Sequence, residues 1–239
     1  MIELMATRFP ERPSNISVIE ACTLFNAVDS ETRERLAGLG HMAYAERGET
    51  IWDAGAPSEF CAVVGVGFIK MAKTSPRGQD AAMELLGPGQ CLGLLVAIEG
   101  KPYPLSAIAV TNTWYLKVPT RGLMAVYTES PAFKDRIIRG IGPRLRQAHE
   151  MMARLTSSRV EERLAAVLFI LADSYGAETK NGVELQVPLT RSDLAEMAGT
   201  TTESTIRALS RWQKEGAIST SHQRITLRSP ERLLEFMQR

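Results

Sequence analysis

Residues that announce a specialised chemistry are scarce in this chain. Only three cysteines, Cys22, Cys61 and Cys91, occur in its 239 residues. An odd number at wide spacing excludes a disulfide framework and favours a reducing compartment. No apolar run is long enough to cross a bilayer. The longest, FCAVVGVGFI from Phe60 to Ile69, is interrupted by Gly65 and Gly67 and reads as a buried strand. The opening MIELMATRFPERPSN lacks a basic segment followed by an apolar one. No secretory signal is therefore expected, and a cytoplasmic location is. The three histidines stand far apart, and no metal-ligand cluster, nucleophile–base motif or phosphate-cradling loop appears. Nothing here recommends an enzyme.

An excess of either charge is missing as well, with a formal net value of only +1, which by itself does not announce a nucleic-acid binder. The distribution of charge is more telling than its sum, because affinity for phosphate follows a local patch. Between Thr200 and Arg228 the basic residues are Arg207, Arg211, Lys214, Arg224 and Arg228, against only Glu203 and Glu215. Basic charge is thus concentrated near the C-terminus, while the rest of the chain balances it.

What is present has two textures. From Leu24 to about Pro119, β-rich segments such as GETIWDAGAPSEF and SAIAVTNTWYLKV alternate with Gly and Pro turns. This predicts short strands in an antiparallel barrel or sandwich. After Pro119 the period becomes helical. Ser130 and Pro131 suit an N-cap and first helical position, and Gly140, Gly142 and Pro143 predict an interruption. In the helix beyond, Ile141, Leu145, Ala148, Met152 and Leu155 recur at alternating steps of four and three. That is the a/d seam of two packed helices, and it favours a homodimer over packing on the chain's own barrel. SRVEERLAAVLFILADSYG predicts a further amphipathic helix, Val160 to Tyr175, ended by Gly176.

The stretch LTRSDLAEMAGTTTESTIRALSRWQKEGAI contains two short helices around Gly199. Thr190 with Asp193 fits a capping box, and Thr200 with Glu203 fits a second. On the second helix Thr205, Ala208, Leu209 and Trp212 share an inward face. Thr202, Glu203, Ile206 and Arg207 share the outward one. Arg can donate bidentately to guanine, Glu can accept from cytosine, and Ile can touch a thymine methyl, all in the major groove. Thr200, Thr201, Arg211 and Lys214 suit phosphates, which position without specifying. AISTSHQRITLRSP then reads as a strand–turn–strand wing, with Arg224 or His222 at its tip to reach a phosphate.

This order of barrel, long helix and winged helix-turn-helix resembles the CRP/FNR family of bacterial transcription regulators. The signatures are GETIWDAGAPSEF, LLGPGQCLGL and the helix-turn-helix stretch above. The resemblance implies an α+β fold, with an N-terminal arm over 1–19 and an antiparallel β-roll sensor, a cupin-like jelly roll, over 20–130. A dimerisation helix over 131–158 and a winged helix-turn-helix over 159–239 would follow. It also implies double-stranded DNA and RNA polymerase as partners, with no membrane. Glu203 and Arg207 fall on base-reading positions, implying palindromic half-sites that contain TGA. Where the oxygen-sensing branch usually has Ser, this chain has Ile206.

The sensor departs from the family's ligand-binding patterns. Cyclic-AMP-binding members carry Gly-Glu and then Arg-Ser/Thr around the cyclic phosphate, but the matching positions here are Gly93-Leu94 and Leu105-Ser106. Leu105 offers no charged donor to a phosphate, which disfavours cyclic AMP. Only Cys22 lies near the arm, so the four thiolates of an iron–sulfur site are not present there. A haem would need His41, His149 or a cysteine as axial ligand. What remains is an apolar region between roll and helix, with Leu94, Leu95, Leu105, Ser106, Met151 and Met152 as candidate lining, which either takes an uncharged or weakly polar effector or is simple core with no ligand. A gas-sensing regulator of the same fold, or a module using the helix-turn-helix for protein contacts, are the alternative readings.

Overall fold

The structure, a computed structural model, describes residues 10–74, 80–157, 159–221 and 223–238. The chain divides into two compact units, residues 1–73 with 84–143 and residues 74–83 with 144–239, and a single long helix passes from one to the other between Pro143 and Arg144.

In the first unit two helices precede the sheets, α1 (Asn15–Ala21) and α2 (Ser30–Leu39), with a short 3-10 turn between them. The strands β1 (His41–Ala45), β2 (Thr50–Trp52), β3 (Phe60–Val66), β4 (Ile69–Thr74), β5 (Asp80–Leu86) and β6 (Cys91–Leu92) follow. Then come α3 (Leu94–Glu99), β7 (Ser106–Ala109), β8 (Thr113–Pro119) and α4 (Thr120–Glu129). They form two four-stranded sheets, ordered β1-β8-β3-β6 and β2-β7-β4-β5. The described pairings are antiparallel.

The alternation of side chains across a strand explains how one sheet serves two cores. Cys61 and Val63 of β3, with Leu116 and Val118 of β8, face a cluster completed by Ile19, Phe25, Leu36, Leu123 and Phe133. Ala62, Val64 and Tyr115 face a second cluster with Trp52, Ile69, Leu86, Tyr103 and Ala107. Burial on both faces is why this stretch is apolar without alternation. The run expected as one strand is two, because Gly67, at φ +90°, turns the chain between β3 and β4.

Three further expectations are corrected. The region from Leu24 is not strands throughout, since α2 is capped by Asp29, whose side chain accepts from Thr32 N–H. The arm expected over 1–19 overlaps α1, whose Val18 and Ile19 are buried in the first core cluster. Nor does the helix break at Gly140, Gly142 and Pro143: α5 runs unbroken from Pro131 to Ser157. A proline inside a helix removes one N–H bond, here the one toward Arg139. Phe133 and Ile137 remain packed in the core on the preceding turns.

The second unit contains α6 (Val160–Tyr175), the hairpin β9 (Gly176–Thr179) and β10 (Gly182–Leu185), α7 (Arg191–Met197) and α8 (Thr202–Lys214). The hairpin β11 (Ile218–Ser221) and β12 (Arg224–Leu227) and the helix α9 (Pro230–Gln238) complete it. A sheet ordered β11-β12-β10-β9 backs the helices. Leu164, Leu168 and Leu171 of α6, Leu194 of α7, Leu209 and Trp212 of α8, and Ile225 and Leu227 of β12 are all buried.

Trp212 is among the largest wholly buried side chains of the molecule. Trp212→Ala is expected to lower the stability of this unit by about 3–5 kcal/mol. Guanidinium unfolding followed by far-ultraviolet circular dichroism measures that loss.

Candidate nucleic-acid interface

The helix-turn-helix is built by local hydrogen bonds that its sequence supplies. Thr190 caps α7 reciprocally with Asp193: the Thr190 N–H donates to Asp193 Oδ2 at 2.9 Å, and the Asp193 N–H donates to Thr190 Oγ1 at 3.1 Å. At the other end Gly199 takes φ +58°, the left-handed region a tight bend requires. The Thr200 N–H then donates to the Ala195 carbonyl at 2.9 Å. Arg163 on α6 reaches across, its Nε donating to the Ala198 carbonyl at 2.8 Å and a terminal nitrogen to the Gly199 carbonyl at 3.1 Å. The α7–α8 turn is thus tied to α6 by a side chain that no sequence motif singles out.

The second capping box is not the one expected. Thr201, not Thr200, is the N-cap of α8, and its hydroxyl accepts from Ser204 N–H at 3.2 Å. The Thr200 N–H is used in closing the turn, so the helix starts one residue later. Glu203 therefore stands at the second helical position rather than the third. Its carboxyl is held below the usual carboxylate range, first by its own backbone N–H, then by the Thr201 hydroxyl, and last by the Arg207 charge. It is ionised at neutral pH, and the positive end of the helix dipole favours that state.

Along α8 the two faces separate as the sequence predicts. Thr205, Ala208, Leu209 and Trp212 are buried, whereas Glu203, Ile206 and Arg207 are exposed and Thr202 is half-buried. Arg207 donates to Ser204 Oγ at 3.0 Å, so a serine one turn back orients the guanidinium, and Glu203 acts on it through charge. Ser204 is a site residue that pattern reading missed; its signal is the i,i+3 spacing to Arg207.

The residues suited to phosphate are differently placed. Thr200 is half-buried, Thr201 and Lys214 are exposed. Arg211 donates through Nε to Glu215 at 2.9 Å and through NH1 to Glu161 of α6 at 3.2 and 3.3 Å. Arg224, at the start of β12, donates to Glu184 of β10 at 2.7 Å and to Gln186, just beyond that strand, at 3.4 Å. Both arginines have carboxylate partners within the chain that a phosphate would have to replace. His222 lies outside the described residues.

In the first unit the expected pocket residues are dispersed. Leu94 belongs to the first core cluster, Leu105 packs against the second, and Leu95 is exposed. The Ser106 hydroxyl accepts from Ala54 N–H. Around Leu105 the space is occupied by rings: Trp52 stacks on Tyr103 with centroids 4.2 Å apart, Phe60 meets both edge-on, and Trp52 Nε1 donates to the Leu105 carbonyl. Burial pushes the Tyr103 and Tyr115 phenols up to about 12, so both stay neutral. Cys22, Cys61 and Cys91 are buried together in the first cluster as small apolar groups. His41 and His149 are exposed.

On α5 three of the five expected seam residues are exposed. Leu145 and Met152 are 52% and 55% exposed, Ala148 is exposed, and Ile141 is half-buried against the first core cluster. Ile138, 68% exposed, extends the same alternation one step toward the N-terminus. The side chains of Met151 and Leu155 lie outside the described ones.

Two family models match the chain: the cyclic nucleotide-binding domain over residues 43–130 and the Crp-like helix-turn-helix domain over 162–236. Among similar proteins is a CRP-like cAMP-activated global transcriptional regulator of Mycobacterium tuberculosis, 24% identical over 78% of this chain and 84% of that one. An anaerobic regulatory protein of Pasteurella multocida is 25% identical over 92% of this chain and 80% of that one. The solved structure of FixK2 from Bradyrhizobium japonicum shares the fold, with a TM-score of 0.74 at 23% identity, over 82% of this chain and 96% of that one. The Mycobacterium and Pasteurella relatives are both named as regulators and not as enzymes. With a cyclic-nucleotide-binding-like unit followed by a Crp-like helix-turn-helix, the chain belongs to the CRP/FNR family of DNA-binding transcription regulators.

Proposed function

We propose that the protein acts in the cytoplasm as a homodimer that binds palindromic double-stranded DNA, placing α8 of each protomer in the major groove. The observation that carries this reading is the outward face of α8. Glu203 and Arg207 stand exposed one turn apart on a helix whose opposite face is buried and whose N-terminus is capped. Arg207 is assigned to guanine and Glu203 to cytosine, consistent with TGA-containing half-sites. Thr200, Thr201, Lys214 and, once freed from their carboxylates, Arg211 and Arg224 are assigned to phosphates. A two-fold dimer requires half-sites about one helical turn apart, roughly 10 bp centre to centre. Contact with RNA polymerase is part of the same proposal.

The apolar seam of α5 supports the dimer. Ile138, Leu145, Ala148 and Met152 present a narrow exposed stripe of the kind that packs against a second helix. For the sensor we propose that cyclic AMP is not the effector. A buried cyclic phosphate needs charged or multiple hydrogen-bond donors, and the family's arginine position is Leu105, beside stacked neutral rings. Any effector would act by shifting the population of dimers whose recognition helices are correctly spaced.

Two outcomes test these assignments. Arg207→Ala is expected to cost about 1–3 kcal/mol of discrimination at one guanine per half-site. Competition among single-base duplex variants reads this, and an unchanged ranking would remove Arg207 from that role. Combining Leu145→Asp with Met152→Asp is expected to yield monomers in sedimentation equilibrium and to weaken binding to a full palindrome far more than to a lone half-site.

A further inference from the structure

We propose that Ile206 makes α8 a reader of the pyrimidine C5-methyl group, so that each half-site carries thymine, or 5-methylcytosine, at the step it faces. This rests on the reading of α8 as the helix that enters DNA. Ile206 is 47% exposed and is the one large apolar side chain exposed on α8 among the described residues. The other residues of that face, Thr202, Glu203 and Arg207, are polar or charged.

Ile206 is not part of the buried face of α8. β-Branching restricts χ1 and lowers helix propensity, and the core on the far side is already closed by Thr205, Ala208, Leu209 and Trp212. The same stiffness suits recognition. In a helix isoleucine keeps one χ1 rotamer about 90% of the time, so its methyl groups hold a fixed offset from Arg207, the next residue. The backbone beneath is set by the Thr201 cap and by Arg163 at the turn. Among the base edges in the major groove, the thymine methyl is the apolar feature. Glu203 and Arg207 are suited to the polar atoms. The work divides accordingly: Arg207 and Glu203 read donors and acceptors, and Ile206 reads the methyl that separates thymine from uracil and 5-methylcytosine from cytosine.

The test uses the full chain and a palindromic duplex that it selects from a randomised pool. Each thymine of the half-site is replaced in turn by uracil, which removes only the methyl. At one position uracil is expected to lower affinity about three- to fourfold, the worth of one buried methyl-sized group. At that position 5-methylcytosine is expected to outbind cytosine by a similar factor. Ile206→Ala is expected to erase both differences while keeping the guanine preference that Arg207→Ala removes. Uracil tolerated at every thymine, or a uracil penalty that persists in Ile206→Ala, overturns the methyl reading and leaves the parent one intact. Failure of the parent reading looks different: no duplex is enriched from the pool, and this inference falls with it.

Discussion

The guanidinium of Arg163 spans the turn between α7 and α8, and the placement of the recognition helix depends on that contact. A tight turn leaves carbonyls pointing away from any helix partner, and buried ones need donors. Arg163 supplies two N–H groups to the Ala198 and Gly199 carbonyls, while the Thr200 N–H closes the turn on Ala195. Trp212 and Leu209 then press α8 onto the core of the unit. The outward side chains inherit their position from this frame. Without it, Glu203 and Arg207 would be two solvated surface charges of small energetic consequence.

The electrostatics of the interface are held in reserve. Arg211 and Arg224 are exposed, yet each is paired with carboxylates of neighbouring elements. Exposed pairs of this kind contribute little to stability and can exchange a carboxylate for a phosphate at modest cost. In the other unit the chemistry is the opposite. Trp52, Phe60 and Tyr103 fill the region around Leu105 with neutral surface, where a cyclic nucleotide would require charge.

Much of this was legible in the sequence because it is governed locally. Gly176 ends α6 where expected, Thr190 and Asp193 cap α7, and the four inward residues of α8 are all buried. These features follow from spacing and side-chain chemistry within one or two turns. The misreadings concern competition between local options. Thr200 and Thr201 are equally good caps, and the choice is made by a backbone bond to Ala195, outside the capping pattern. Pro143 is a helix breaker by propensity, but α5 continues through it. The α2 helix carries little amphipathic signal, and its identity comes from the Asp29 cap and from Leu36 and Ala37 against the core. The partners of Arg163 and Arg224, and Glu161 beside Arg211, lie on elements distant in sequence and leave no local signal, whereas Ser204 and Glu215 stand three and four residues from Arg207 and Arg211.

The most direct test of the recognition-helix account is hydroxyl-radical and dimethyl sulfate footprinting on the selected palindrome. Guanine N7 faces the major groove, so protection from methylation there reports α8 itself. Two symmetric protected guanines, spaced by about one helical turn and flanked by protected sugars, are expected. Protection confined to the sugar–phosphate backbone, with guanine N7 still reactive in both half-sites, would contradict entry of α8 into the groove.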